Sequence, residues 1–513
     1  MSSSNTVVEV IGATAAALCL ATWLWRERNR LSFPPGPRPI PLLGNIADIP
    51  VVKQWEAYRD LGTRYGPIVH LQVLYRHLVI VNDAEVASDL CEKRSAVYSG
   101  RPPLPMISDL MGWSWNIGFM DYGPVWKAHR RVLQRYFGNS ISSQHTSLLR
   151  KNTRLFLSDV LAVPSKFEDY IRRAAAANVL TMAYGIDIAR HGDPLVVLAD
   201  KASNSIIAAG LPGSFAVDWF PFLKHVPEWF PGAGFQRIAR ESRALSSGMK
   251  ETPYTVAKEA VREGRAHASL VLDSLNSSDG DISSDDLIKN SAGAMYLAAV
   301  DTITAQIMSF IMAMLRNSTA CRKVQEELNR AVGDARLPEY ADRAQTPFLD
   351  ACILESCRLY PVAPLGVPHC TSQDDEYRGF RITQGTTIIV NSWAILRDPK
   401  RFPDPDAFKP ERYLDANGRL DPSAEYPSVT MFGWGRRICP GRYFADSTLW
   451  FAAAGLLSCF DLACELDVNG KPIIPTEEMH SGLVAVPAPF SCVITPRSEK
   501  HAELVRTAQD DIE

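Results

Sequence analysis

Residues 432–442 read Phe432-Gly433-Trp434-Gly435-Arg436-Arg437-Ile438-Cys439-Pro440-Gly441-Arg442. Three glycines and a proline surround one cysteine, and Arg436, Arg437 and Arg442 flank it. Glycine permits close backbone approach and unusual φ values, and nearby positive charge draws a thiol toward thiolate. A loop that wraps a thiolate in backbone N–H groups suits a soft metal ligand, because those donors also tune the metal. The chain has ten cysteines but no C-x-x-C pair and no H-E-x-x-H. A disulfide scaffold and a standard zinc site are therefore not expected. A small buried hydrophobe beside a basic loop describes the other nine cysteines; it does not describe Cys439.

Outside this loop the motifs are weak one by one. E-x-x-R occurs four times, at Glu27/Arg30, Glu259/Arg262, Glu327/Arg330 and Glu355/Arg358. W-x-x-x-R occurs three times, at Trp55/Arg59, Trp126/Arg130 and Trp393/Arg397. Such pairs most often report neighbours on one helix face. Order separates them. Only Glu355-Ser356-Cys357-Arg358-Leu359-Tyr360-Pro361, 84 residues before Cys439, is followed by Pro368-His369 and then by Asn391-x-Trp393 with Arg397-Asp398-Pro399. Pro405-Asp406-Ala407-Phe408-Lys409-Pro410-Glu411-Arg412-Tyr413 comes next. This set resembles the cytochrome P450 family, whose haem loop F-x-x-G-x-R-x-C-x-G is matched at every fixed position. Residues 405–413 are similar to that family's P-x-x-F-x-P-E-R-F. The likeness covers nearly the whole chain. Tyr98-Ser99-Gly100-Arg101-Pro102 adds similarity to fungal members near the O-methylsterigmatocystin oxidoreductase group.

The resemblance implies a role for each matched residue. Cys439 would be the axial thiolate of haem iron, in a loop where Phe432, Gly433 and Gly441 contact the cofactor. Glu355, Arg358 and Arg412 would form a buried charge triad, since guanidinium groups fork onto carboxylates. Trp126, Arg130, Arg437 and His369 would meet the haem propionates; for His369 an ordinary hydrogen-bonded core histidine is the alternative. Ser291 to Leu315 carries one formal charge, Asp301, followed by Thr302. The run is long enough to be a membrane span, but a helix through the middle of the domain is the favoured reading. The family's oxygen-activation helix, [AG]-G-x-[DE]-T-[TS], is met here by Ala298-Ala299-Val300-Asp301-Thr302-Ile303. Asp301 and Thr302 would deliver protons. Ala299 and Ile303 depart from the pattern, and a structural, paired Asp301 is the competing reading. Family topology implies substrate contacts at Met106, Met295, Ala298, Val362, Leu365 and Leu483, all apolar or small. Aromatic residues cluster at Asp218-Trp219-Phe220-Pro221-Phe222 and Trp229-Phe230-Pro231. They would either dip into a membrane or fill the core.

Composition bounds the rest. The chain has 513 residues, 46% hydrophobic and 22% charged, with net charge −3. These values exclude a disordered chain and supply no basic footprint for nucleic acid. The expected fold is mostly α with small β-sheets, an α+β haem domain over 51–498. It is preceded by a membrane anchor over 1–30 and a Pro-rich hinge over 31–50, and followed by a polar, frayed tail over 499–513. The anchor rests on the uncharged run 10–25 with Arg26, Arg28 and Arg30 after it, which leaves the bulk of the chain on the cytosolic side. The activity implied is a haem-thiolate monooxygenase of the endoplasmic reticulum membrane. It would insert one atom of O₂ into a lipophilic terpenoid or polyketide of fungal secondary metabolism. The implied cofactor is haem b. Electrons would come from NADPH through a separate cytochrome P450 reductase, with cytochrome b5 as an optional second donor and lipid as a further contact. A haem-thiolate isomerase or dehydratase, and a non-enzymatic haem protein, are the alternatives.

Overall fold

The computed structural model describes residues 31–138, 143–209, 215–277 and 284–510. The expected membrane anchor lies outside the described residues. Alternating apolar positions near the front form the hairpin β1 (Ile68–Val73) and β2 (Arg76–Val81). The later alternation divides between two sheets. β3 (His369–Cys370) joins the first sheet, while β4 (Asp375–Tyr377) pairs with β5 (Phe380–Ile382). β6 (Thr387–Val390) then runs parallel to β2, giving the order β1-β2-β6-β3. Gly385, at φ +79°, turns the chain between the two sheets, a conformation that glycine adopts without steric cost. Two small pairs close the β content: β7 (Phe460–Ala463) with β10 (Val493–Pro496), and β8 (Met479–His480) with β9 (Val486–Pro487).

The longer helices are α1 (Gln54–Tyr65), α2 (Pro124–Phe137), α3 (Ser143–Ala162), α4 (Phe167–Tyr184), α5 (Pro194–Ala209), α6 (Gly234–Arg262), α7 (Asp285–Arg316), α8 (Ser318–Ala331), α9 (Pro347–Leu359), α10 (Arg442–Cys459) and α11 (Glu499–Asp510). α7 is the axis of the domain. The Ser284 side chain caps it by accepting the Leu287 N–H at 3.3 Å, satisfying an orphan donor of the first turn. Its 32 residues run about 48 Å at 1.5 Å per residue. It is apolar enough to cross a membrane, yet 78% of its most apolar window is buried inside the domain. It packs against α2, α4, α9 and α10. Gly293 is where its small-residue stretch matters: a Cβ there would stand 3.0 Å from the Trp115 ring.

Two segments differ from the expectations for the ends. Residues 499–510, expected to fray, form α11, which buries Ala502, Val505 and Ala508 and packs on α3. The apolar residues at i, i+3 and i+6 make one face, a signal that the flanking charges mask. Residues 31–50 are packed onto the sheet rather than held off it. His70 N–H donates to Pro35 O, and Arg381 N–H donates to Ser32 O, both at 2.9 Å. The Phe33 ring stacks on His70 at 4.5 Å and on His77 at 4.7 Å, with the Arg381 guanidinium 5.5 Å over its face.

Candidate active site

The loop at Cys439 is built by glycines with no freedom to be anything else. Gly435 sits at φ +56°, and a Cβ there would stand 2.0 Å from the Cys91 carbonyl oxygen. Gly433, at φ +82°, makes the preceding turn, and the Cys439 N–H then donates to Phe432 O at 2.8 Å. Burial pushes the Cys439 thiol up, while the Gly441 N–H, Arg130 and Arg442 favour its thiolate. Arg130, on α2, donates to Ile438 O at 2.5 Å, and Arg442, opening α10, donates to Cys439 O at 3.2 Å. The thiol is thus framed by N–H donors and cations, the environment a thiolate ligand needs.

Between residues 291 and 315, α7 opens only at Leu297 to Thr302. From 291 to 315 all its residues are buried except Leu297, Ala298, Ala299 and Thr302. Ala298 is exposed although the helix runs through the core, so an internal space lies against Ala298, Ala299 and Thr302. The Thr302 hydroxyl donates to Ala298 O at 2.9 Å, as a mid-helix threonine does when it bonds back to the preceding turn. Asp301 faces elsewhere. Its carboxylate accepts Arg172 Nη1 at 2.7 Å and the Ser203 hydroxyl, and Arg172 also holds Asp200 at 2.9 Å. Successive helix residues point about 100° apart, so the alcohol meets the open space while its neighbouring acid is clamped between α4 and α5.

Three half-buried cations make no close ion pair, although the Asp121 carboxylate attracts Arg101 and Arg437 from further off. Arg101 donates to Gly118 O, Val367 O and Pro368 O at 2.7–2.9 Å. Arg437 donates to Ser99 O at 2.8 Å and Met120 O at 2.9 Å, and its guanidinium lies 4.5 Å over the Trp126 ring. Among the described residues, Arg101, Arg130 and Arg437 have no carboxylate in ion-pair range. Burial and mutual repulsion lower Arg101 to about 9 and Arg437, chiefly by burial, to about 10. His369 is lowered to about 3 by burial and by both arginines. Its Nδ1 lies 2.7 Å from Tyr98 O, and a carbonyl only accepts, so Nδ1 carries the proton. Neutral His369 then offers Nε2 as an acceptor alone; it can donate to an anion only as imidazolium, the form that an adjacent anion favours. Like charges gathered in a buried place are costly unless an anion joins them.

Behind the loop, Glu355 and Arg358 are both fully buried and joined by two bonds of 2.8 and 2.9 Å. Arg412 reaches Glu355 at 3.1 Å, the Tyr413 hydroxyl donates to it at 3.0 Å, and the Lys409 N–H donates at 2.8 Å. The ordering of a cysteine loop, a cation set and this triad along one chain agrees with a single family. Residues 34–493 match the family described as Cytochrome P450. The chain belongs to the cytochrome P450 family. It is 36% identical to Cytochrome P450 monooxygenase 98 of Postia placenta, over 99% of this chain and 98% of that protein. It is 36% identical to Cytochrome P450 monooxygenase COX2 of Coprinopsis cinerea, over 97% and 96%. Tryptamine 4-monooxygenase of Psilocybe cyanescens is 35% identical, over 93% and 95%.

As a cytochrome P450 the protein is an oxidoreductase of the monooxygenase type, with haem iron as cofactor, a small-molecule substrate and a redox partner. The residues fit that cofactor. Cys439 would hold the iron, and the cations Arg101, Arg130 and Arg437, none of them in a close ion pair, would with Trp126 and His369 hold two propionates. Arg101 was visible in the sequence only as part of a likeness to fungal members; its role appears when β3 brings His369 beside it. Tyr413 stands where the family pattern has phenylalanine, and that extra hydroxyl was the signal for its bond to Glu355. The Arg172–Asp200–Ser203 clamp had no local signal.

The substrate candidates divide. Ala298, Val362, Leu365 and Leu483 keep open surface, whereas Met106 and Met295 are packed into the main core. Met106 is fully buried, and its backbone N–H donates to the buried Asp218 carboxylate at 2.9 Å. The Ala485 N–H donates to Val362 O at 2.8 Å, tying the β8–β9 hairpin, with Leu483 at its tip, to that wall. The aromatic stretch is surface rather than core: Trp229 is 81% exposed and Phe222 68%. Leu42 and Val51 are exposed as well, and Tyr75 OH donates to Trp219 O at 2.7 Å.

Proposed function

We propose that this cytochrome P450 inserts one oxygen atom from O₂ into a lipophilic small molecule, a terpenoid or polyketide of fungal secondary metabolism. Its electrons come from NADPH through a separate reductase, with cytochrome b5 as an optional donor. The observation that carries the reading is the opening of α7 at Leu297 to Thr302, where Ala298 and Thr302 face internal space in a domain that also frames Cys439 with cations. Haem, when bound, supplies the oxygen-activating chemistry. The chain's own residues bind and orient. Open apolar surface at Ala298, Val362, Leu365 and Leu483 favours a substrate held by shape and water exclusion. The Thr302 hydroxyl can pass a proton into that space, and Asp301 must first leave Arg172 to take part. The exposed aromatics Phe222 and Trp229, and the exposed Leu42 and Val51, support a domain resting on the endoplasmic reticulum membrane and facing the cytosol. The test is incubation of the haem-loaded protein with NADPH, reductase, ¹⁸O₂ and a panel of terpenoids and polyketides. One labelled atom per product is expected. Turnover of hydroperoxides without NADPH or label incorporation would instead make the protein an isomerase.

A further inference from the structure

Nine of the ten cysteines have no place in this chemistry, and two of them adjoin one strand pair. In the antiparallel pair β7–β10, Ala463 faces Val493, Leu462 faces Ile494 and Phe460 faces Pro496. The ladder ends there; carried one step further, the same register would put Cys464 opposite Cys492, and the Cys464 thiol does act on that of Cys492. The class of that pair can be read from the ladder. Arg497 N–H donates to Cys459 O at 3.0 Å, so Phe460/Pro496 and Leu462/Ile494 are non-hydrogen-bonded pairs, and Cys464/Cys492 is the next of that kind. Pro496, which has no N–H to give, sits at a position of this class, in agreement. Residues in such pairs have Cα atoms about 4.5 Å apart and side chains on one face, within the Cα range of roughly 4.4–6.8 Å that a disulfide spans.

We propose that Cys464 and Cys492 are a modification site: a dithiol that closes to a reversible disulfide under sustained peroxide. Cys464 is half-buried and Cys492 buried; their thiols are directed at Leu315 O (4.0 Å) and Val493 O (3.8 Å), so each side chain turns about χ1 to close the bond. In the first step the Cys464 sulfur attacks a peroxide oxygen. The O–O bond breaks, one water leaves, and a sulfenic acid forms. The Cys492 sulfur then displaces the second water as the S–S bond forms. Two thiols lose two electrons and two protons in all, and one hydrogen peroxide accepts them. Burial raises both thiols, Cys492 up to about 12. Thiolate is therefore scarce, and the pair stays reduced until oxidant persists. Cys321 on α8 also acts on Cys492, but more weakly than Cys464 does. The bond would close residues 465–491 into a loop, and that loop carries the β8–β9 hairpin with Leu483. Oxidation would thereby stiffen one wall of the substrate space.

The experiment treats the haem-loaded full chain with hydrogen peroxide, blocks remaining thiols, digests it and maps the peptides by mass spectrometry. A Cys464–Cys492 linked peptide is expected, two hydrogens lighter than its parts, abolished by dithiothreitol and absent from both C464S and C492S. Protease cleavage within 465–491 should slow at least severalfold in the oxidised protein. The wild-type map decides the question even where a variant folds poorly. A Cys492–Cys321 link, sulfinic acid at Cys464 without any link, or two unmodified thiols at doses the haem survives would each overturn the proposal.

Discussion

The triad behind the cysteine loop allows a ranked prediction. Glu355 receives five hydrogen bonds: Arg358 Nε and the Tyr413 hydroxyl on Oε2, and Arg358 Nη2, Arg412 Nε and the Lys409 N–H on Oε1. E355Q keeps the volume, removes the charge and turns an amide NH₂ toward donors, leaving two guanidinium groups without their counter-ion. Stranding a buried charge costs about 3–5 kcal/mol. R358M does more. It deletes both bonds to Glu355 and orphans the carbonyls of Leu396, Pro405 and Ala407, at about 1–3 kcal/mol for each buried group left unpaired. Roughly 5 kcal/mol or more is expected, which reaches the whole stability of many domains. R412M removes a 3.1 Å bond to Glu355 and two bonds to the solvent-exposed carbonyls of Pro403 and Asp404, which water can satisfy, at an edge where the side chain is 12% exposed, so about 1–2 kcal/mol is expected. The assay is guanidinium titration of the haem-loaded variants, followed by haem absorbance and by circular dichroism. The predicted order is R358M worst, then E355Q, then R412M. R412M as damaging as R358M, or E355Q costing less than about 1 kcal/mol, would refute the geometric argument.

Three further outcomes follow from the site and its surroundings. R101M should release haem to an excess of apo-acceptor at least about tenfold faster, because charged hydrogen bonds contribute about 1.5–3 kcal/mol each; the haem-free protein should also lose stability, since the Gly118, Val367 and Pro368 carbonyls lose their donor, a loss that relieved repulsion with Arg437 offsets in part, and an unaltered release rate would count against the propionate assignment. Burial pushes Asp218 up to about 6, above its unfolded value of about 3.9. The folded state then binds more protons between the two values, so stability falls as pH rises through that window, by roughly 3 kcal/mol in total. D218N should abolish this fall in melting curves taken from about pH 4 to 7; parallel curves for both proteins would exclude it. In nanodiscs with brominated acyl chains, W229F should lose much of the quenchable tryptophan fluorescence, whereas unchanged quenching would place Trp229 in water.

What could be read from the residues alone tracks how local the physics is. The Cys439 loop was legible because glycines, proline and cysteine within eleven positions specify their own backbone. Glu355 and Arg358 were legible as one helical step and Arg412 only through the family resemblance, while the Tyr413 bond needed the chain to return after more than fifty residues. Asp301 was legible as a costly carboxylate in an apolar helix; its partners were not, because Arg172 lies 129 positions away and nothing in its neighbourhood announces the pairing. α11 was hidden for a different reason. Its apolar face is only three residues wide, and solvent-facing charges dominate the composition of any window placed over it.

The stack of Phe33 between His70, His77 and Arg381 bears on where the chain can be cut. Phe33 covers β1 and β2 on one side of the four-stranded sheet, and His369 lies on β3 at the opposite edge. A truncation ending at residue 30 leaves that cover in place. One that begins at residue 46 also removes the Pro35 O acceptor of His70 and the Gly44 bridge to Val73, uncovering an edge strand ready to pair with a second molecule. Solubilised forms that start before Phe33 should stay monodisperse and hold haem; those that start after Gly44 should self-associate through β1.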